Sequence, residues 1–243
     1  MKIIFSRKGF DSAAGGGASP IVDGRPISLP IPAGVASRTT YGDLGLGEHA
    51  SGASRGRFGH DAQCHHDPMF MDDGTCIFGQ VGAAQTHLAN QGVGVGDVFL
   101  FFGLFREEET GEPHHRIFGF LEIERIVDLA SCTEDERTHF AALRHPHALC
   151  MHGSNDTLYV GRGATARRAN VGLRLTIPGG PPSLWHRPVW LHKGGLTYHD
   201  CEDRWLRGGR LRSVARGQEF VADVGKRKPP AEWLVQILWL ITE

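Results

Sequence analysis

The run VFLFFGLF at residues 98–105 constrains the fold more than any other stretch. It is apolar apart from one glycine, and it is far shorter than the ~20 residues that cross a bilayer. That leaves a buried strand. A charged loop, REEETGEPHH, follows it, and then RIFGFLEIERIVDL at 116–129, which alternates through Ile117, Gly119, Leu121 and Ile123. The two runs are predicted to pair as a hairpin, 98–105 against 117–123, with an exposed tip near 107–113.

Further strands are expected at Ile3–Phe5, 156–161 (DTLYVG), 172–177 (GLRLTI) and 218–223 (QEFVAD). Pro188 limits the segment 183–191 to an edge strand, because proline lacks the ladder N–H. A short helix fits residues 82–91, ended by Gly92. Thr133 and Glu136 form a capping box that opens a helix to about Leu143. Residues 229–243 read as a last helix, with Pro230 in its first turn and Trp233, Ile237, Leu240 and Ile241 on one face. Residues 6–20 are a Gly/Ala/Ser loop, and residues 21–60 show little apolar periodicity. Loops that long are usually functional or disordered.

The strand–helix alternation of a doubly wound sheet is missing, and so is the P-loop pattern. GVGVGD at 92–97 precedes a strand rather than a helix, the wrong context for dinucleotide binding. The expected fold is therefore α+β: an antiparallel, barrel-like sheet with a few flanking helices. With 243 residues, 40% hydrophobic and 22% charged, the chain reads as one globular domain over 1–243, with a Gly/Pro/Ser-rich loop region at about 6–60.

No apolar leader or membrane span is seen, so a cytoplasmic location is expected. The five cysteines are scattered, with no C-x-x-C pair, and are expected to be reduced thiols. Net charge is −1, but it is uneven: residues 151–243 hold 14 Lys+Arg against 8 Asp+Glu. Any DNA contact is expected through this basic C-terminal half, by Arg162, Arg167, Arg168, Arg207, Arg210 and Arg212.

Several residues carry chemistry. In SRKGFD, Arg7 is a planar charged fork suited to phosphate, Lys8 is a point charge, and Asp11 can orient either or act as a base. The glycines that follow would let backbone N–H groups approach an anion. In HHDP, at 65–68, Pro68 favours an extended Asp67. His65 and Asp67 then share one face and His66 the other, which suits an acid–base dyad. Asp67 could equally cap a polar turn. With Cys64, His145, His147, Cys150 or His152 the same residues could bind a metal. No paired ligand spacing supports that, and no metal is expected. The side-chain amides of Gln80, Gln85 and Gln91, with His87, could orient a base or ribose. Tyr198 could stack, and Arg216 and Glu219 flank the last strand.

Taken together, IIFSRKGFDSAAGGGASPI, the H-x-D-P at 65–68, FGQVGAAQTHLANQGVGVGDVFLFFGLF at 78–105, NDTLYVG at 155–161 and RGQEFV at 216–221 resemble the nucleotide modification associated domain family of the third type. The resemblance implies a role in phage and bacterial DNA-base modification systems. The expected function is therefore a nucleobase- or nucleotide-binding protein of such a system, acting as an enzyme on a base or nucleotide. The partner is a nucleotide or DNA base, and no cofactor is named. The central segment is also similar to PUA-like barrels such as the ASCH and EVE modules, which implies a non-catalytic reader of modified bases as the alternative. In chain order Arg7 and Glu219 resemble the Arg and Glu of ADP-ribosyltransferases, a minor alternative.

Overall fold

A computed structural model describes residues 1–33, 37–107, 110–149, 153–214 and 219–243. In chain order these form β1 (Lys2–Arg7), β2 (Ser19–Val22), β3 (Arg25–Pro26), α1 (Gly47–Ser54), β4 (Met69–Phe70), β5 (Thr75–Gln80), α2 (Gly82–Asn90), β6 (Val98–Glu107) and β7 (Pro113–Asp128). There follow α3 (Glu134–Ala142), β8 (Thr157–Thr165), β9 (Leu184–His186), β10 (Trp205–Leu206), β11 (Arg210–Arg212), β12 (Glu219–Asp223) and α4 (Lys228–Thr242).

The main sheet runs β12-β1-β6-β7-β8-β5-β4 and curls into a half-barrel, with β2 added along the far end of β6. Its pairs are antiparallel except β1–β6 and β2–β6. The fold is α+β, as expected. The central hairpin pairs Phe99 with Leu121 and Phe102 with Ile117, across a bulge between Phe101 and Phe102. Residues 108–109 of its connection lie outside the described residues.

Side chains alternate across a strand, and β6 buries both sets. Leu100 and Phe102 pack with Phe5, Trp185 and Ile237 under α4. Phe99 and Phe101 pack with Phe78, Leu88 and Tyr159 on the other face. α3 carries the expected capping box of Thr133 and Glu136. In α4, Leu234, Ile237 and Ile241 are buried.

Two expectations are corrected. Residues 172–177 do not form a strand. Val171–Leu173 is a 3-10 turn, opened by the Asn170 side chain accepting from the Gly172 N–H, and only single bridges follow at Arg174 and Thr176. Residues 21–60 are not all loop, since they contain the end of β2, all of β3, and α1. The sequence GEHASGAS has no strong apolar face. α1 is instead fixed through Ala50, which packs with Phe10, Leu29, Tyr41 and Cys64. Gly15, at φ +93°, closes the preceding loop, where a Cβ would lie 2.4 Å from the Phe10 ring.

Candidate functional site

The turn at residues 65–68 faces the end of β5, the start of β8 and the 3-10 turn Pro146–Leu149. Asp67 sits at its centre, its side chain 4% exposed. One oxygen, Oδ1, accepts from the Gly79 N–H at 2.9 Å and lies 3.4 Å from His145 Nε2. The other, Oδ2, has His65 Nε2 and His147 Nε2 each 3.8 Å away. Those two distances are too long for hydrogen bonds. Burial alone would raise the Asp67 pKa. The close approach of His145 and the electrostatic influence of the nearby His147 and His65 imidazoles outweigh it and hold the carboxyl below the usual range.

His147 is itself fixed from behind. Its Nδ1 lies 2.5 Å from Asp156 Oδ1, and its ring packs against Gly79. A Cβ at 79 would fall 2.2 Å from His147 Cδ2, so only glycine lets β5 and this ring approach so closely. Pairing of Gly79 with Leu158 and Gln80 with Thr157 brings Asp156 alongside.

β1 supplies the opposite wall. Arg7, at its end, donates from Nη2 to the Val214 carbonyl at 2.8 Å, and its guanidinium lies 5.7 Å from the Phe102 ring centroid. Burial lowers its pKa, and Asp11 opposes that shift. Lys8 Nζ lies 3.1 Å from Glu219 Oε1 and 4.3 Å from the Phe78 ring centroid. The same Glu219 oxygen accepts from Ser6 Oγ at 3.1 Å and Gln80 Nε2 at 2.7 Å. Its other oxygen is buried and meets no hydrogen-bond partner among the described residues.

These walls enclose a cavity of about 450 Å³ lined by Arg7, Lys8, Asp11, His65, Asp67, Gln80 and His147. His66 faces a neighbouring cavity of about 370 Å³, on the far side of the turn. Burial lowers the His66 pKa. The arrangement combines cations, a hydrogen-bonding amide and a carboxylate ringed by imidazoles around one small-molecule-sized space. The family described as nucleotide modification associated domain 3 matches residues 2–223.

The chain belongs to the nucleotide modification associated domain 3 family. Neither the curated proteins nor the solved structures contain a match to this family member. Among its described residues no helix is long and apolar enough to cross a membrane.

Within this family member, not every residue singled out by sequence reaches the cavity. Asp11 lines it, but Oδ1 is engaged by the N–H groups of Ala13 and Ala14, both at 2.7 Å. Glu219, 1% exposed, lies beneath Lys8 and Gln80 rather than on the wall. Gln85 accepts from the Tyr159 hydroxyl at 2.9 Å, and Gln91 is exposed past the end of α2. His87 Nε2 lies 3.1 Å from Thr197 Oγ1, and its ring packs 4.5 Å from that of Tyr198. Arg216, Cys150 and His152 lie outside the described residues. Cys64 belongs to the Phe10–Tyr41 cluster, where burial pushes its thiol pKa up to about 12. Sequence reasoning passed over Asp156 and Gly79. Both lie in stretches that carry the family resemblance, but only strand pairing brings them to His147.

Proposed function

We propose that this chain binds a nucleotide or nucleobase in the 450 Å³ cavity and acts on it as an enzyme of a DNA modification system. Arg7 holds the anionic group, because its planar fork matches phosphate. Lys8 adds positive charge, shared with Glu219. Gln80 presents its amide to the base or sugar. Asp11 shapes the loop beside Arg7. His65 and Asp67, backed by His147, form the reacting end, where a proton is moved to or from the bound molecule.

The observation that carries this reading is the convergence of Arg7, His65 and Asp67 on one cavity from distant parts of the chain. An anion holder and a proton carrier then stand within reach of a single substrate. A non-catalytic reader has no need of a buried carboxylate ringed by imidazoles.

The test is the identification by mass spectrometry of molecules released from the purified full chain, followed by calorimetry with nucleosides and their monophosphates. A retained nucleotide or base is expected, with monophosphates bound better than nucleosides. Arg7→Ala should remove most of that preference, about tenfold or more in affinity. No heat with either ligand at up to ~1 mM, or a monophosphate preference untouched by Arg7→Ala, would overturn the reading.

A further inference from the structure

We infer that His65, Asp67 and His147 bind a divalent first-row transition-metal ion, with an open coordination position facing the Arg7 cavity. The inference departs from the sequence expectation of no metal. It needs no nucleotide, and it is tested without one.

Four features of the geometry carry it. First, one donor atom from each of the three residues lies within 4.8 Å of the others. The two imidazole nitrogens sit at the same 3.8 Å from Asp67 Oδ2. An ion with bonds of ~2.0–2.2 Å holds neighbouring tetrahedral ligands about 3.4 Å apart. Both imidazole–carboxylate separations therefore lie within a few tenths of an ångström of that spacing. At 3.8 Å both imidazoles are too far from Asp67 Oδ2 for a hydrogen bond, which leaves room for an ion between them.

Second, each ligand atom is selected by its surroundings. Gly79 N–H occupies Asp67 Oδ1, which leaves Oδ2 for the ion. The Asp156 carboxylate can only accept, so His147 Nδ1 carries a proton, and the neutral ring then turns the Nε2 lone pair toward Asp67. A carboxylate behind a ligating imidazole is the usual device for fixing its tautomer and strengthening it as a donor.

Third, exposure is graded. The His147 and Asp67 side chains are each 4% exposed and that of His65 is 16% exposed, so the site is closed behind and open at His65. All three residues line the cavity that holds Arg7. A substrate anchored at Arg7 could therefore present an oxygen to the ion.

Fourth, the donor set fixes the class of ion. Two neutral imidazoles and one carboxylate suit Zn(II), Fe(II), Mn(II) or Co(II). Ca(II) and Mg(II) prefer all-oxygen surroundings. With an ion bound, His65 and Asp67 hold it, and the proton at the reacting end is carried by metal-bound water, whose pKa such an ion lowers strongly.

The experiment uses the full chain, stripped with chelator and titrated with CoCl2 and then ZnCl2, read by visible absorption and calorimetry. One equivalent of Co(II) with ligand-field bands, displaced by Zn(II), is expected. His65→Ala and His147→Ala, each checked for folding by circular dichroism, should lose the bands. Asp156→Asn should keep one equivalent but weaken it about 10–100-fold and shift the bands, since Asp156 is a positioning residue. If His147→Ala fails to fold, partly exposed His65 carries the test alone. No bands and no heat, or bands unchanged in His65→Ala, would overturn the inference. Nucleotide bound by a chain that takes up no metal would sink the metal alone. Metal bound by a chain that takes no nucleotide would sink the proposed function alone.

Discussion

His147 Nδ1 and Asp156 Oδ1 lie 2.5 Å apart, and this contact ties the 3-10 turn after α3 to the start of β8. Both side chains are buried, at 4% and 8% exposure. The pair therefore fixes which imidazole nitrogen faces Asp67. An amide at 156 could donate as well as accept and would no longer dictate the tautomer. Asp156→Asn is expected to lower stability by about 1–3 kcal/mol, the usual cost of spoiling a buried bond to a charged group. Urea unfolding measures that cost, and 15N NMR of the His147 ring reports the tautomer. Unchanged stability with an unchanged ring spectrum would mean that the contact fixes nothing.

Acid should destabilise the chain well above the carboxylate range, and His115 is a main reason. It is 8% exposed and accepts from Trp185 Nε1 at 3.1 Å on Nδ1. Burial, then the charges of Arg7 and His114, lower its pKa to about 3. In the unfolded chain a histidine takes its proton near pH ~6.5. Between those values the unfolded state binds the extra proton, so stability falls as pH drops from about 6.5 toward 3, by up to ~1.4 kcal/mol per pH unit. His115→Gln keeps an acceptor for Trp185 and has no titration. Its stability should be lower at pH 7 but flatter from pH 6.5 to 4.5, as measured by urea unfolding at several pH values. A slope equal to that of the parent would mean that His115 does not set the acid sensitivity.

These two histidines mark how far the sequence could be read. The β6–β7 hairpin was legible because its apolar runs are long and its turn is charged, so a local pattern decided a local structure. His65 and Asp67 do line one cavity, but not through an extended chain: the Asp67 N–H bonds the His65 carbonyl at 2.8 Å, a turn about His66 that the sequence did not foretell. The partnership of His147 with Asp156 was not legible either. It depends on the pairing of β5 with β8 and on the absence of a side chain at Gly79. α1 was missed for a related reason. Its sequence is a poor helix former, and only the Phe10–Tyr41 cluster around Ala50 selects that conformation. The amides of Gln85 and Gln91 suited base recognition by type, yet one bonds Tyr159 and the other faces water.

DNA contact, where it occurs, should use the basic half of the chain. Arg167, Arg168, Arg207, Arg210 and Arg212 are exposed, whereas Arg162 is held by Glu122 through Nη2 at 2.6 Å. An arginine already paired gains less from a phosphate. Replacing Arg167 and Arg168 by Ala should therefore weaken duplex binding more than Arg162→Ala does. It should also shallow the log–log salt dependence by about 0.9 for each phosphate that is no longer neutralised. Fluorescence anisotropy across a salt series gives both quantities. Binding indifferent to salt would exclude duplex phosphate contact and point to a free nucleotide or an apolar ligand instead.

The Lys8–Glu219 pair separates two roles for the cavity. Lys8 Nζ is 3.1 Å from Glu219 Oε1, with side-chain exposures of 12% and 1%. Glu219→Gln keeps the shape and leaves an oxygen for Ser6 and Gln80, but it strips the partly buried Lys8 ammonium of its counter-charge. Breaking a fully buried pair from one side costs about 3–5 kcal/mol, and solvent at the cavity side of Lys8 makes the cost here smaller. An anion entering the cavity would restore the balance at Lys8, so a bound phosphate should stabilise the variant more than the parent, as mass action requires of a ligand with tighter affinity. Thermal unfolding with and without a nucleoside monophosphate measures this, and the expected outcome is a lower melting temperature with a larger upward shift on adding ligand. An ADP-ribosyltransferase-like role for Glu219 predicts the opposite, because the carboxylate would then bind the ribose or acceptor and its loss would shrink the shift. A shift equal to the parent's would place Lys8 outside the ligand's reach and leave Arg7 as the anion holder.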